Sequence, residues 1–271
     1  METWQIVTIL GVLGLCFGSF VNALVWRLHN HRDMLRERSE CTHCHHILAW
    51  YDLIPLLSWL SLAGKCRYCH KPIDDSPLVE FATAGLFTVS YLYWPLSPGT
   101  SYGNVLLGIW LICLVGLVAI AVYDIRWMLL PDKIVFPLIV LAFTFAVVRW
   151  SSLEHLLPLD VLKQMIFGVL SVAGVYLGLY AVSRGAWVGF GDVKLGIFMG
   201  LMLGWELGLL AVFLANLIGC VVIIPGLISK KLTPQSKIPF GPFLIAGHIV
   251  AILFGGQAIQ GYVDYFLGIT L

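Results

Sequence analysis

Two groups of residues in this chain have the types and spacings that support chemistry. The first is a set of four cysteines in two C-x2-C pairs, Cys41-Thr42-His43-Cys44 and Cys66-Arg67-Tyr68-Cys69, with 21 residues between the pairs. Each pair makes one knuckle and offers two thiolates, so together they supply a closed tetrahedral site for a structural Zn²⁺. The competing readings are redox pairs or unliganded thiols. His43, His45, His46 and His70 stand nearby, but four thiolates already complete such a site. Cys16, Cys113 and Cys220 lie singly in apolar runs and are expected to be small packing residues.

The second group is acidic. Asp124, in Val122-Tyr123-Asp124-Ile125-Arg126, closes a long uncharged run; Asp132 follows Leu129-Leu130-Pro131; and Asp192 sits in Gly189-Phe190-Gly191-Asp192-Val193-Lys194. Two facing carboxyls hold one proton between them, so one acts as base on a water while the other donates to a carbonyl. That is aspartyl-protease chemistry, with no covalent intermediate. A plainer reading pairs Asp124 and Asp132 with Arg126 and Lys133, and has Asp192 cap its helix or pair with Lys194. Residue types and spacing leave both readings open, and do not distinguish Asp124 from Asp132.

The elements that must carry these groups are membrane helices. Of 271 residues, 59% are hydrophobic and 11% charged, with net charge +1 and mean hydropathy +0.91. Soluble domains carry about 25% charged residues, so an ordinary soluble domain and a disordered chain are both excluded, and no basic field invites nucleic acid. Apolar runs at 3–26, 105–123, 164–183, 207–229 and 241–263 are long enough to cross a bilayer. Weaker runs lie at 78–94 and 134–148, and a stub at 195–205 is expected to form a hairpin with the 207–229 run; about eight segments result. The first run lacks the basic start of a cleaved signal peptide. With the N-terminus outside, only Arg149 and Lys163 of the 16 lysines and arginines fall outside, so the cysteine loop, with its Arg36, and both Asp124 and Asp192 face the cytoplasm.

Residues 47–64 are apolar enough to suggest another span. Thiolates on one metal lie about 4 Å apart, whereas an 18-residue helix would separate its ends by about 27 Å. The segment, broken by Pro55, is therefore expected to lie against the membrane surface as part of a zinc-clipped subdomain. His248 is expected to be an interior histidine with partners, and Trp26, Trp94, Trp127 and Trp150 to be interfacial anchors. No internal repeat is evident.

Six blocks in order resemble the type IV prepilin peptidases. They are Phe17-Gly18-Ser19-Phe20-Val21-Asn22 with Arg27-Leu28; the double C-x2-C loop enclosing Asp52-Leu53-Ile54-Pro55; Pro77-Leu78-Val79-Glu80; Asp124 through Pro131-Asp132; Gly189 to Lys194; and Pro239-Phe240-Gly241-Pro242. The resemblance implies an enzyme that cuts the basic leader from prepilins or pseudopilins at the cytoplasmic face, with Asp124 and Asp192 as catalysts. It also implies N-methylation of the new terminus from S-adenosylmethionine. Glu80 and Lys194 become candidate substrate contacts. The implied organisation is a first helix (1–26), a methylation-associated zinc loop (27–77) and an all-α membrane peptidase domain (78–271), in a bacterial inner membrane. His29, Thr42 and Asp75-Ser76 depart from the family's usual pattern, all in the loop region. The alternative from a different class is a proton- or ion-coupled transporter using the membrane carboxylates.

Overall fold

The computed structural model describes residues 2–33, 37–73, 76–96, 99–153, 156–231, 233 and 236–267. Arg36 and Asp75, singled out above, lie outside the described residues. The helices are α1 (Thr3–His29), α2 (Leu57–Ser61), α3 (Leu78–Leu92), α4 (Ser101–Trp127), α5 (Asp132–Val148), α6 (Pro158–Ser183), α7 (Phe190–Ile228) and α8 (Gly241–Leu267). Among the described residues there is no β-strand, only two isolated bridges in the cysteine loop. The all-α membrane architecture is as expected.

The count of about eight crossing segments is a loose one. Six helices are long and apolar enough to cross: α1, α4, α5 with the turn after it, α6, α7 and α8. Helix α3 has 15 residues, about 22 Å of rise, which falls short of about 30 Å of hydrocarbon. Within α7 the stub at 195–205 and the run that follows are two helices that meet at Gly204 (φ 76°, ψ −170°), a conformation open only to glycine. Gly196 and Gly208, on either side of it, pack on Ala173 and Val172 of α6, so the chain turns back as the expected hairpin. Residues 47–64 form no span. They hold a 3-10 turn (Trp50–Leu53) and the five-residue α2, and leave Trp50, Leu57 and Leu60 exposed.

The chain groups into two compact units. One comprises Met1–Leu92 with the stretch Leu114–Val122; the other comprises Tyr93–Cys113 and Tyr123–Leu271. In the first, α1 packs on α3 through small residues: a Cβ on Gly14 or Gly18 would lie 2.5 Å from the Cα of Ala84 or Glu80. Such contacts let helix backbones approach where lipid supplies no hydrophobic drive. In the second, α7 packs against α5, α6 and α8 around Trp110, Phe145, Phe198 and Met202, all fully buried.

Several expectations change here. Trp94 and Trp150 are buried rather than interfacial, and the Trp94 indole donates to the Gly103 carbonyl (3.3 Å). Cys113 packs in the interior, but Cys16 and Cys220 are exposed on their helices. His248 is fully buried between the rings of Trp110 and Phe198. Neither of its ring nitrogens has a hydrogen-bond partner among the described residues.

Candidate active site and metal centre

The four loop cysteines converge. The Sγ atoms of Cys41, Cys44, Cys66 and Cys69 all lie within 4.8 Å of one another, with Cys41 to Cys69 at 3.8 Å. That spacing fits four thiolates around one tetrahedral ion at about 2.3 Å from each sulfur. The knuckles are equivalent, an internal repeat that the sequence reading missed. In each, the first cysteine's N–H donates to the carbonyl five residues on (Cys41 to His46, 3.0 Å; Cys66 to Lys71, 2.8 Å). In each, the following histidine, His45 or His70, is left-handed (φ 54° and 59°). The repeat is short and its side chains differ, so only the C-x2-C-H core carries it.

The thiols divide unequally. Burial pushes Cys41 up, but the N–H groups of Cys44 and His43 and the thiols of Cys66 and Cys44 bring it down to about 7. The His46 N–H lowers Cys44, yet desolvation and the three neighbouring thiols push it up to about 11. Four crowded thiols ionise together only beside a cation.

Asp52 braces the knuckles. Its side chain, 3% exposed, takes Arg67 Nε at 2.7 Å, the Tyr68 hydroxyl at 3.1 Å and the Ala49 N–H at 3.2 Å. Burial raises its carboxyl, but these partners, Arg67 foremost, hold it below the usual carboxylate range. Glu80, buried in the first turn of α3, accepts the Leu56 N–H at 2.7 Å. It therefore secures the loop at a residue with a left-handed backbone (φ 58°).

In the second unit, Asp124 and Asp192 are both buried and close enough for their charges to interact. Asp192 is the third residue of α7, where its carboxylate takes the N–H of Gly189 at 3.2 Å. Asp124 lies in the last turn of α4, an unfavourable end for an anion. Its compensation comes from the start of α8: the Gly241 N–H donates to Asp124 Oδ2 at 3.0 Å. Each carboxylate thus faces a helix N-terminus, where unsatisfied N–H groups favour negative charge.

Two glycines make room for this. A Cβ on Gly241 would lie 2.7 Å from Asp124 Oδ2, and one on Gly191 would lie 2.5 Å from Leu130 Cδ1. The plainer reading survives only for the capping role of Asp192. Asp132 is half-exposed and pairs with Lys194 at 2.6 Å, so Lys194 is engaged there and over the rings of Phe136 and Phe190.

The sequence reading missed two residues at this site. Gly241 was visible only as part of a matching block, although a glycine between prolines at a helix start was a usable signal. Tyr176 is buried beside Asp192, with its hydroxyl unpartnered among the described residues; a tyrosine within an apolar helix gave no signal.

Residues 12–94 match the bacterial peptidase A24 N-terminal domain, and residues 111–224 match the type IV leader peptidase family. The chain is 32% identical to the prepilin leader peptidase/N-methyltransferase of Stutzerimonas stutzeri, over 94% of this chain and 92% of that one. It is 31% identical to the protein of that name from Bacillus subtilis, over 97% of this chain and all of the other. No solved structure matches it. The motif blocks, the helical membrane fold and full-length similarity to such relatives agree: this chain belongs to the type IV leader peptidase family.

Proposed function

We propose that this protein is a bifunctional enzyme of the bacterial inner membrane. It cleaves the basic leader of type IV prepilins or pseudopilins at the cytoplasmic face, then N-methylates the new N-terminal residue from S-adenosylmethionine. The observation that carries the peptidase reading is the pair Asp124 and Asp192, buried together with each carboxylate held by one helix-start N–H. Fixed N–H donors leave the remaining carboxyl oxygens to a water and a substrate carbonyl. One carboxylate takes the water's proton as it attacks, and the other, carrying the shared proton, donates to the carbonyl oxygen. Asp132, paired with Lys194, stays outside this chemistry.

Cys41, Cys44, Cys66 and Cys69 would hold Zn²⁺ as a clasp on residues 27–77, the part we assign to methyl transfer, while residues 78–271 carry the peptidase. A bound zinc supplies folding energy and no reacting group. The apolar residues Trp50, Leu57 and Leu60 suit contact of this loop with the bilayer surface. The carrier alternative draws no support from the comparisons.

The test is cleavage of a prepilin-like peptide by the purified protein. Asp124→Asn and Asp192→Asn should each lower the rate by several orders of magnitude, and the double variant by no more than either, because the two groups act as one. Retained cleavage in both single variants would sink the assignment.

A further inference from the structure

We infer that Tyr176, on α6, is a further catalytic residue of the peptidase site, its hydroxyl donating a hydrogen bond to the oxygen of the peptide carbonyl under attack. This rests on the peptidase half of the proposed function and adds a donor from a fourth helix to the aspartate pair.

Its position follows from the way α6 and the first arm of α7 pack. The two run antiparallel and meet through small residues: a Cβ on Gly200 would meet the backbone of Gly168, and one on Gly196 would lie 3.0 Å from the Cα of Ala173. One turn further along α6 from Ala173 is Tyr176, and one turn back along α7 from Gly196 is Asp192. Residues three or four apart share a helix face, so the same seam carries Tyr176 to Asp192. The two are close enough for their charges to interact. The Tyr176 ring also packs on Phe240, with centroids 6.1 Å apart, and Phe240 immediately precedes the Gly241 whose N–H holds Asp124. Tyr176 therefore stands beside both helix starts that frame the pair.

Packing does not account for its hydroxyl. Tyr176 is 2% exposed, yet its Oη has no hydrogen-bond partner among the described residues. Burying an O–H unpaired is unfavourable, and phenylalanine would fill the same space without that penalty. The carboxylates already have helix-start N–H donors in the resting enzyme. A substrate oxygen arriving at the aspartates gives the hydroxyl its acceptor, and a phenol brings this donor without a third negative charge.

The step balances without any further reagent. The water O–C bond forms, one carboxylate takes the water's proton, and the carbonyl π pair moves to its oxygen, which takes the proton held by the other carboxyl. Tyr176 donates to that same oxygen and keeps its own proton. Collapse breaks the C–N bond: one hydroxyl of the intermediate returns its proton to the carboxylate that gave it, and the leaving amine takes the water's proton from the other carboxyl. Negative charge grows on the carbonyl oxygen only during attack, so the Tyr176 hydrogen bond is stronger in the transition state than in the bound substrate.

The experiment compares full-length wild type, Tyr176→Phe and Asp192→Asn in detergent. Each is given a prepilin-like peptide as substrate and, as a ligand that is not cleaved, the same peptide with a CH2–NH group in place of the scissile amide. Removal of one such donor should lower kcat of Tyr176→Phe by about 10²-fold, while KM hardly changes. The reduced peptide has no carbonyl at the scissile bond, so Tyr176→Phe should bind it as the wild type does, and should melt no lower. Wild-type kcat in Tyr176→Phe beside an inactive Asp192→Asn overturns the role of Tyr176 and leaves the peptidase reading standing. So does a loss confined to KM, or one matched by weaker binding of the reduced peptide or by lower melting, since packing alone would then explain it. Absent cleavage in the wild type, or undiminished cleavage in Asp192→Asn, overturns the peptidase reading, and the role of Tyr176 with it.

Discussion

The cysteine loop and the aspartate pair are two sites assembled by opposite means. Each knuckle is complete within a few residues: its two thiols, its N–H to carbonyl bond and its left-handed histidine come from one short segment. Only the joining of the two knuckles is long-range, and Asp52 braces it from the segment between them. The aspartates have no such local frame. Asp124 takes its hydrogen bond from a residue 117 positions away, and the fit depends on glycines that bring one helix end against another. The first kind of site is robust to changes in distant packing, whereas the second is sensitive to a single methyl group.

The sharpest way to break that contrast is Gly241→Ala. The added Cβ would stand 2.7 Å from Asp124 Oδ2, so the carboxylate must move. Misplacement of about 1 Å costs roughly 10²-fold in rate, so leader cleavage should fall by about that factor. Methylation of a pre-cleaved, phenylalanine-first peptide should not change. Undiminished cleavage would show that helix-end packing does not position the pair.

Next in size is Cys41→Ser or Cys69→Ser. Protein purified without chelator should carry one zinc per chain by elemental analysis, and either variant should lose it. Methylation should drop about tenfold or more, since metal ligation and folding are coupled, while membrane insertion persists. A wild-type protein with no stoichiometric metal would remove the clasp from the comparison.

The smallest effect is expected from Asp52→Asn, which should lower loop stability by about 1–2 kcal/mol through the lost charged hydrogen bond to Arg67. Its sign with pH is fixed. Because the Asp52 carboxyl is held below its ordinary value, its contribution is full above about pH 4 and fades as pH falls through the lower folded value. Limited proteolysis of the loop should therefore separate wild type from variant at neutral pH and converge in acid. A gap that widened on acidification would contradict the brace.

The contrast also explains what could be read in advance. Spacing alone gave the four cysteines that cluster, because thiols able to share one ion about 4 Å apart can come only from a loop that folds back, and this also removed residues 47–64 from the candidate spans. The apolar runs gave most helices to within a few residues, since a bilayer demands length and lack of charge. The same runs could not say that α3 is too short to cross, or that the reversal inside α7 is made at Gly204. They could not say that Trp94 and Trp150 face protein rather than the interface.

By itself, then, the sequence determined that the chain is a helical membrane protein, that its loop carries two cysteine pairs able to meet, and that its motifs keep one family's order. Those properties depend on composition and on neighbours along the chain. Tertiary structure alone decided that Asp132 pairs with Lys194 while Asp124 lies buried near Asp192, and that Gly241 serves Asp124. It also decided that Glu80 secures Leu56 and that Asn22 keeps an unmet acceptor beside a cavity. Each of these depends on which helix end or loop meets which, and packing between distant segments leaves no fixed spacing in the sequence.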